Sequence, residues 1–175
     1  MEQIFLEMKK LVEEGAEIYP LLFANNGSKE EREWLEKKLF NVTGQEVTTS
    51  VESEGFVTPD VFDLMVIAPC PGNILAKLLN ASGDPATMVK AMTHLQTGRP
   101  IVLALVANGN SGDLLGHIEQ LLALKSIYFV PFGHVQEKRK QFIITRMDLI
   151  KETVVQAFEQ KQIQPAIFEH HWFPT

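Results

Sequence analysis

Cysteine occurs once in the 175 residues, at Cys70. A single thiol closes no disulfide within the chain, which points to a reducing compartment. Long apolar runs are missing too: none approaches the roughly eighteen residues that a membrane-crossing helix needs. Positive charge is in deficit. Sixteen Lys and Arg against 22 Asp and Glu leave a net charge of −6, so nucleic acid and anionic membrane surfaces would be repelled. Two glutamates precede the first lysine, the wrong order for a basic leader followed by an apolar stretch, and a cytoplasmic protein is expected. The five histidines (His94, His117, His134, His170, His171) show no metal spacing; adjacent His170 and His171 point apart in any regular structure, and no metal is expected.

What is present is ordinary globular composition, 45% hydrophobic and 22% charged. It predicts one domain over 1–175, with a tail over about 162–175. Ile4, Phe5, Met8, Leu11 and Val12 recur at helical spacing, and Gly15 stands where a left-handed cap would sit. Residues 18–23 predict a short strand. Ser28 with Glu31 forms a capping box that opens a charged helix carrying Trp34, Leu35 and Leu39. A weak strand follows at 47–51 and a loop at 52–60.

Three continuous apolar runs, 64–68 (LMVIA), 101–106 (IVLALV) and 127–130 (IYFV), read as strands covered on both faces. Helices are expected between them: one from Ile74 to Leu79, one opened by Asp84-Pro85 and closed by Gly98, one bearing Leu114, Leu115, Ile118, Leu121 and Leu122. Pro131 and Gly133 are expected to stop the third strand, 136–141 to be a basic polar loop, and 148–160 to be the last helix. Strands alternating with helices predict an α/β fold, a three-layer parallel sheet of Rossmann-like or flavodoxin-like type.

Ligands of such sheets bind at the carboxyl ends of the strands. Three segments stand there: 68–73 (APCPGN), 107–113 (ANGNSGD) and 131–134 (PFGH). In the first, Gly72 permits close approach of a ligand to the backbone, and the Asn73 amide offers both a donor and an acceptor to a ring edge. The following helix start favours a phosphate or carboxylate. The alternative is that proline and glycine merely turn strand into helix, with Asn73 as the cap. The second segment is equally consistent with plain turn chemistry. Cys70 near a helix start could be a nucleophile; the reading as a small buried hydrophobe is preferred. His117 is read as a capped or solvated side chain. Trp172 and Phe173 pack either on a neighbouring protomer or back on their own domain. No catalytic residue is assigned.

The stretch 63–73 (DLMVIAPCPGN) with Ala76-Lys77-Leu78 resembles a strand, turn and helix of the family of dipicolinate synthase B subunits. So do Gly98-Arg99-Pro100 before an apolar strand, the run 125–133 (KSIYFVPFG), and Gln162-Ile163-Gln164-Pro165. The likeness extends over about 1–169. That family is similar to flavoproteins that include phosphopantothenoylcysteine decarboxylases and prenyl-flavin synthases. The resemblance implies a Rossmann-like fold, homo-oligomerisation, and FMN held by positions matching Ala68, Pro69, Gly72, Asn73 and Asn108. It implies a role in oxidising dihydrodipicolinate to dipicolinate beside the nicotinamide-binding A subunit of dipicolinate synthase, in the mother cell of a spore-forming bacterium. Two alternatives stay open: a non-catalytic assembly protein without flavin, and a flavin-dependent decarboxylase-like protein. Members begin with a strand and a phosphate-receiving loop before the first helix; here Met1 already opens that helix, so a sheet without its usual first strand is expected. Leu114, Leu115, Gly116 and His117 also replace a polar segment of the family.

Overall fold

A computed structural model describes residues 1–22, 28–49, 62–80, 91, 93–109, 113–137 and 140–168; at 49, 108–109, 136–137 and 140–141 it describes the backbone alone. The expected loop at 52–60, the Asp84-Pro85 helix start, Ser111, Gly112, His170, His171, Trp172 and Phe173 lie outside the described residues. The chain divides into two compact units, Met1–Thr58 and Pro59–Thr175.

In the first unit, helix α1 (Glu2–Glu13) buries Ile4, Phe5, Glu7 and Leu11. Gly15 follows at φ +94°, a left-handed geometry open to glycine without strain. Helix α2 (Lys29–Thr43) opens on the expected capping box: the Ser28 hydroxyl accepts from the Glu31 amide, and the Glu31 carboxylate accepts from the Ser28 amide. Leu39 is its buried residue, whereas Trp34 is 54% exposed. The Trp34 indole stands edge-on to Phe5, with the Lys38 ammonium over both rings. Strands β1 (Leu21–Leu22) and β2 (Thr48–Thr49) pair in parallel with each other.

The second unit holds the main sheet. Its elements are β3 (Met65–Pro71), α3 (Gly72–Asn80), helical residues at 91 and 93–96, β4 (Ile101–Gly109), α4 (Leu114–Leu122), β5 (Ile127–Phe129), β6 (Phe132–Glu137), β7 (Lys140–Thr145), α5 (Ile150–Phe158) and β8 (Ile167–Phe168). The order is β3-β4-β7-β6-β8, with β5 also on β4. Strands β3, β4 and β5 run parallel, as do β6 and β8. Among the described strands β3 pairs only with β4.

Alternation along β4 explains the three layers. Ile101, Leu103 and Leu105 join Leu75 and Leu78 of α3 and Leu114, Ile118 and Leu121 of α4 in one core. Val102 and Ala104, fully buried on the other face, belong to the layer covered by α5, whose Ile150, Thr153, Val154 and Ala157 are buried.

Three expectations are corrected. The sheet is not wholly parallel, because β7 runs antiparallel to both β4 and β6. The expected polar loop at 136–141 is the end of a β-hairpin. The third strand does end ahead of Pro131, whose carbonyl accepts from the Arg146 amide, but Gly133 stops nothing and lies within β6. Within the segment expected as a tail, Ile167–Phe168 form β8, and Gln162 reaches Phe129.

Candidate functional site: the rim at the ends of β3 and β4

Strand β3 does not break at Pro69. It continues through Pro71, and its register on β4 shifts between Ile67 and Cys70, across the cis Ala68–Pro69 bond. Helix α3 then starts at Gly72 with no intervening loop. Ala68, Pro69, Gly72 and Asn73 thus form a strand end and a first helical turn rather than a free loop. Asn73 is exposed, and its amide meets no partner among the described residues. Cys70 is the contrast: it is 0% exposed, and burial pushes its thiol up to about 12. The reading of Cys70 as an unreactive hydrophobe agrees with this environment.

Asn108 is also not in a loop. Strand β4 runs on to Gly109, and Asn108 pairs with Phe142 of β7. The registers define the rim. The last rung of β3 joins Pro71 to Val106. Three further rungs then cross β4, β7 and β6: Ala107–Ile143–His134, Asn108–Phe142–Val135 and Gly109–Gln141–Gln136. At ~3.3 Å per residue, this three-stranded wall rises about 10 Å beyond the point where α3 begins.

The face of the wall toward α3 follows from the pleat. Phe132 and Ile143 belong to the core shared with α3 and α4. His134 lies two residues beyond Phe132 and directly opposite Ile143, so it shares that face. Ala107, on the same rung, packs against the same core. The Nε2 atom of His134 is buried without a hydrogen-bond partner among the described residues. At the end of this face α4 begins, its first turn capped by the Asp113 carboxylate, which accepts from the Gly116 amide at 3.2 Å.

The rim therefore brings Gly72, Asn73 and His134 to one end and one face of the sheet, with Asn108 inside the wall. Sequence reasoning misses the wall, because a hairpin with a polar tip reads as a loop, and it gives His134 no role. The one available signal is the position of segment 131–134 at a strand end.

Two cavities lie elsewhere. One of about 170 Å³ is bounded by Gly98, Pro100, Lys125, Ser126, Tyr128 and Phe158, among others, at the starts of β4 and β5. Another of about 430 Å³ runs beside β5 and is lined by Leu122, Ile127, Gln162, Gln164, Pro165 and Ile167, among others. Neither is lined by Ala68, Pro69, Gly72, Asn73 or Asn108. No cluster of metal-ligating side chains occurs among the described residues, nor is any described helix long and apolar enough to cross a membrane.

No family model matches the chain. It is 33% identical, over 177 aligned residues, to the dipicolinate synthase B subunit of Bacillus subtilis (strain 168), covering 97% of this chain and 88% of that protein. The crystal structure of the dipicolinate synthase B subunit from Bacillus halodurans C matches with a TM-score of 0.78 and 31% identity, over 96% of this chain and 89% of the other. The FMN-dependent cysteine decarboxylase SpaF and a mutant PPC decarboxylase complexed with pantothenoylaminoethenethiol each match with a TM-score of 0.58, at 17% and 18% identity. The last two show a shared fold alone.

Proposed function

The chain belongs to the family of dipicolinate synthase B subunits, and from that membership we propose that it contributes to oxidation of dihydrodipicolinate to dipicolinate during sporulation, as an FMN-binding-type subunit. The observation that carries this reading is the likeness to that family across nearly the whole chain, joined to a rim at the carboxyl ends of β3 and β4 where such folds take ligands. The rim fits a flat, anionic cofactor. Small Ala107 and side-chain-free Gly109 stand at alternate rungs of β4, and among the described residues neither the Asn73 side-chain amide nor the buried Nε2 of His134 has a hydrogen-bond partner.

In this reading Gly72 and Asn73 hold the flavin ring, Ala68 and Pro69 shape the strand end beneath it, and Asn108 belongs to the substrate side. When bound, FMN supplies the two-electron redox chemistry. The chain's own part is to orient the ligand through the Asn73 amide and to offer the first-turn amides of α3 to negative charge. The working partner is the dipicolinate synthase A subunit, the chain itself forms homo-oligomers, and the setting is the cytoplasm of the mother cell.

A second reading, an assembly protein that does not bind flavin, is favoured by the two cavities, which stand away from Ala68–Asn73. The test is a melting curve of the purified protein with and without FMN, followed by dihydrodipicolinate oxidation in the presence of the A subunit. The flavin reading expects FMN to raise the melting temperature, and Asn73→Ala to cut both that shift and the oxidation rate at least tenfold. No FMN shift, together with full oxidation supported by the Asn73→Ala protein, would establish the assembly reading instead.

A further inference from the structure

Strand β6 is longer than the edge that β8 covers. It pairs with β7 from Phe132 to Glu137, whereas its described rungs with β8 are Phe132–Ile167 and Gly133–Phe168. The Phe132 amide donates to the Ala166 carbonyl at 3.0 Å, which fixes the groups that face that side. Backbone direction alternates along a strand, so the N–H and C=O of His134 and Gln136 face the same way, and those of Val135 face β7. Beyond the second rung the edge thus continues with two donors and two acceptors, the kind of edge that another strand completes. The His134 side chain stands beside it, and its Nε2 is buried without a hydrogen-bond partner among the described residues, a situation that native structures rarely keep.

We infer that residues 169–172 of the same chain complete this edge as the continuation of β8, with the Glu169 carboxylate accepting from His134 Nε2. β8 already runs parallel to β6, and Phe168 stands one rung below His134, so the residues that follow need no turn to reach the edge. Continued register sets Glu169, His170, His171 and Trp172 opposite His134, Val135, Gln136 and Glu137. The His134 amide then donates to the Phe168 carbonyl, the His170 amide to the His134 carbonyl, and the Gln136 amide to the His170 carbonyl. The length agrees with the sequence: Trp172 and Phe173 suit a strand, and Pro174, due to face β6, has no N–H to give. Register partners in a parallel pair share a face. Ile167, the partner of Phe132, lines the cavity bounded by Leu122 of α4 and Ile127. Glu169 therefore falls on the same side as His134, about 5 Å away from strand to strand. An ionised carboxylate only accepts, and the imidazole N–H supplies the donor. Such a strand needs no flavin; beyond the proposed function, it sets an acidic side chain on the face of the rim toward α3 and α4.

Amide hydrogen exchange of the full chain, followed residue by residue by NMR, is the test. In the parent the amides of His134 and Gln136 should be protected. His170→Pro removes the N–H that faces the His134 carbonyl, and it should speed exchange at Gln136 about five- to tenfold, the effect of one lost hydrogen bond, with Val135 unchanged. His171→Pro, whose missing N–H would face away from β6, should keep the parent rates. Ring-nitrogen NMR reads the side chains: Glu169→Ala should move the His134 Nε2 resonance, and Glu169→Gln, which keeps an acceptor, should move it less. Fast exchange at Gln136 in the parent, equal rates in His170→Pro, or an Nε2 resonance that ignores Glu169→Ala would each overturn the inference. Protection at Gln136 that fades on dilution would also overturn it, since the strand would then come from a second copy.

Discussion

At the scale of single residues, burial decides chemistry more than residue type does. Cys70 sits two residues from a helix start, the setting that usually activates a thiol. Its complete burial outweighs that position and pushes the thiol up to about 12. Native protein should therefore leave Ellman's reagent unreacted over an hour at pH 8, and one equivalent should react in guanidinium; prompt reaction of the native protein would refute the burial. His94 makes the parallel case for a base. Only 2% exposed, it is held below the usual histidine range by burial and secondarily by the charge of Arg99. The unfolded chain thus takes up a proton at a higher pH than the native chain does. Stability is full above about 6.5, falls as pH drops from there through the depressed native value, and then levels off. The urea midpoint should fall between pH 7 and pH 5, and it should fall less in His94→Gln. Equal pH dependence in both proteins would count against this account.

Among elements, the outer edge of β5 is the instructive one. Among the described strands β5 pairs only with β4, so its other side would present bare backbone, a template for unwanted pairing. The Gln162 amide closes it. Its Oε1 accepts from the Phe129 amide and its Nε2 donates to the Phe129 carbonyl, both at 2.7 Å, as a neighbouring strand would do. Phe129 is fully buried, so Gln162→Ala should cost about 2 kcal/mol in urea unfolding, two hydrogen bonds lost with partial rescue by water. A loss under about 0.5 kcal/mol would mean that the clamp is not formed in solution. The Gln162-Ile163-Gln164-Pro165 segment, singled out in the sequence only by resemblance, thus has a physical task within its own fold.

For the whole molecule, ligand binding and stability are one quantity seen twice. A flavin that binds the native chain and not the unfolded one adds about 2.7 kcal/mol at a hundredfold excess over its dissociation constant. For a chain of 175 residues that amounts to a rise of about 5–10 °C in melting temperature, large enough that its absence would be decisive for the proposed function. The net charge of −6 leaves such binding to local geometry, since the long-range field repels an anionic cofactor.

Local pattern alone determined a good part of this protein. The apolar runs at 64–68, 101–106 and 127–130 marked three strands, Ser28 with Glu31 marked the start of α2, and Gly15 and Gly98 marked helix ends at positive φ. Each depends on residues within a few positions of one another, where periodicity and capping act. The rim was decided only by tertiary structure. How far β3 and β4 extend, that 136–141 closes a hairpin, and that His134 stands on the rung of Ala107 all depend on which strand lies beside which. Such pairing joins residues dozens of positions apart, and a proline or a polar tip that reads locally as a break becomes a strand once a neighbouring backbone satisfies its remaining hydrogen bonds.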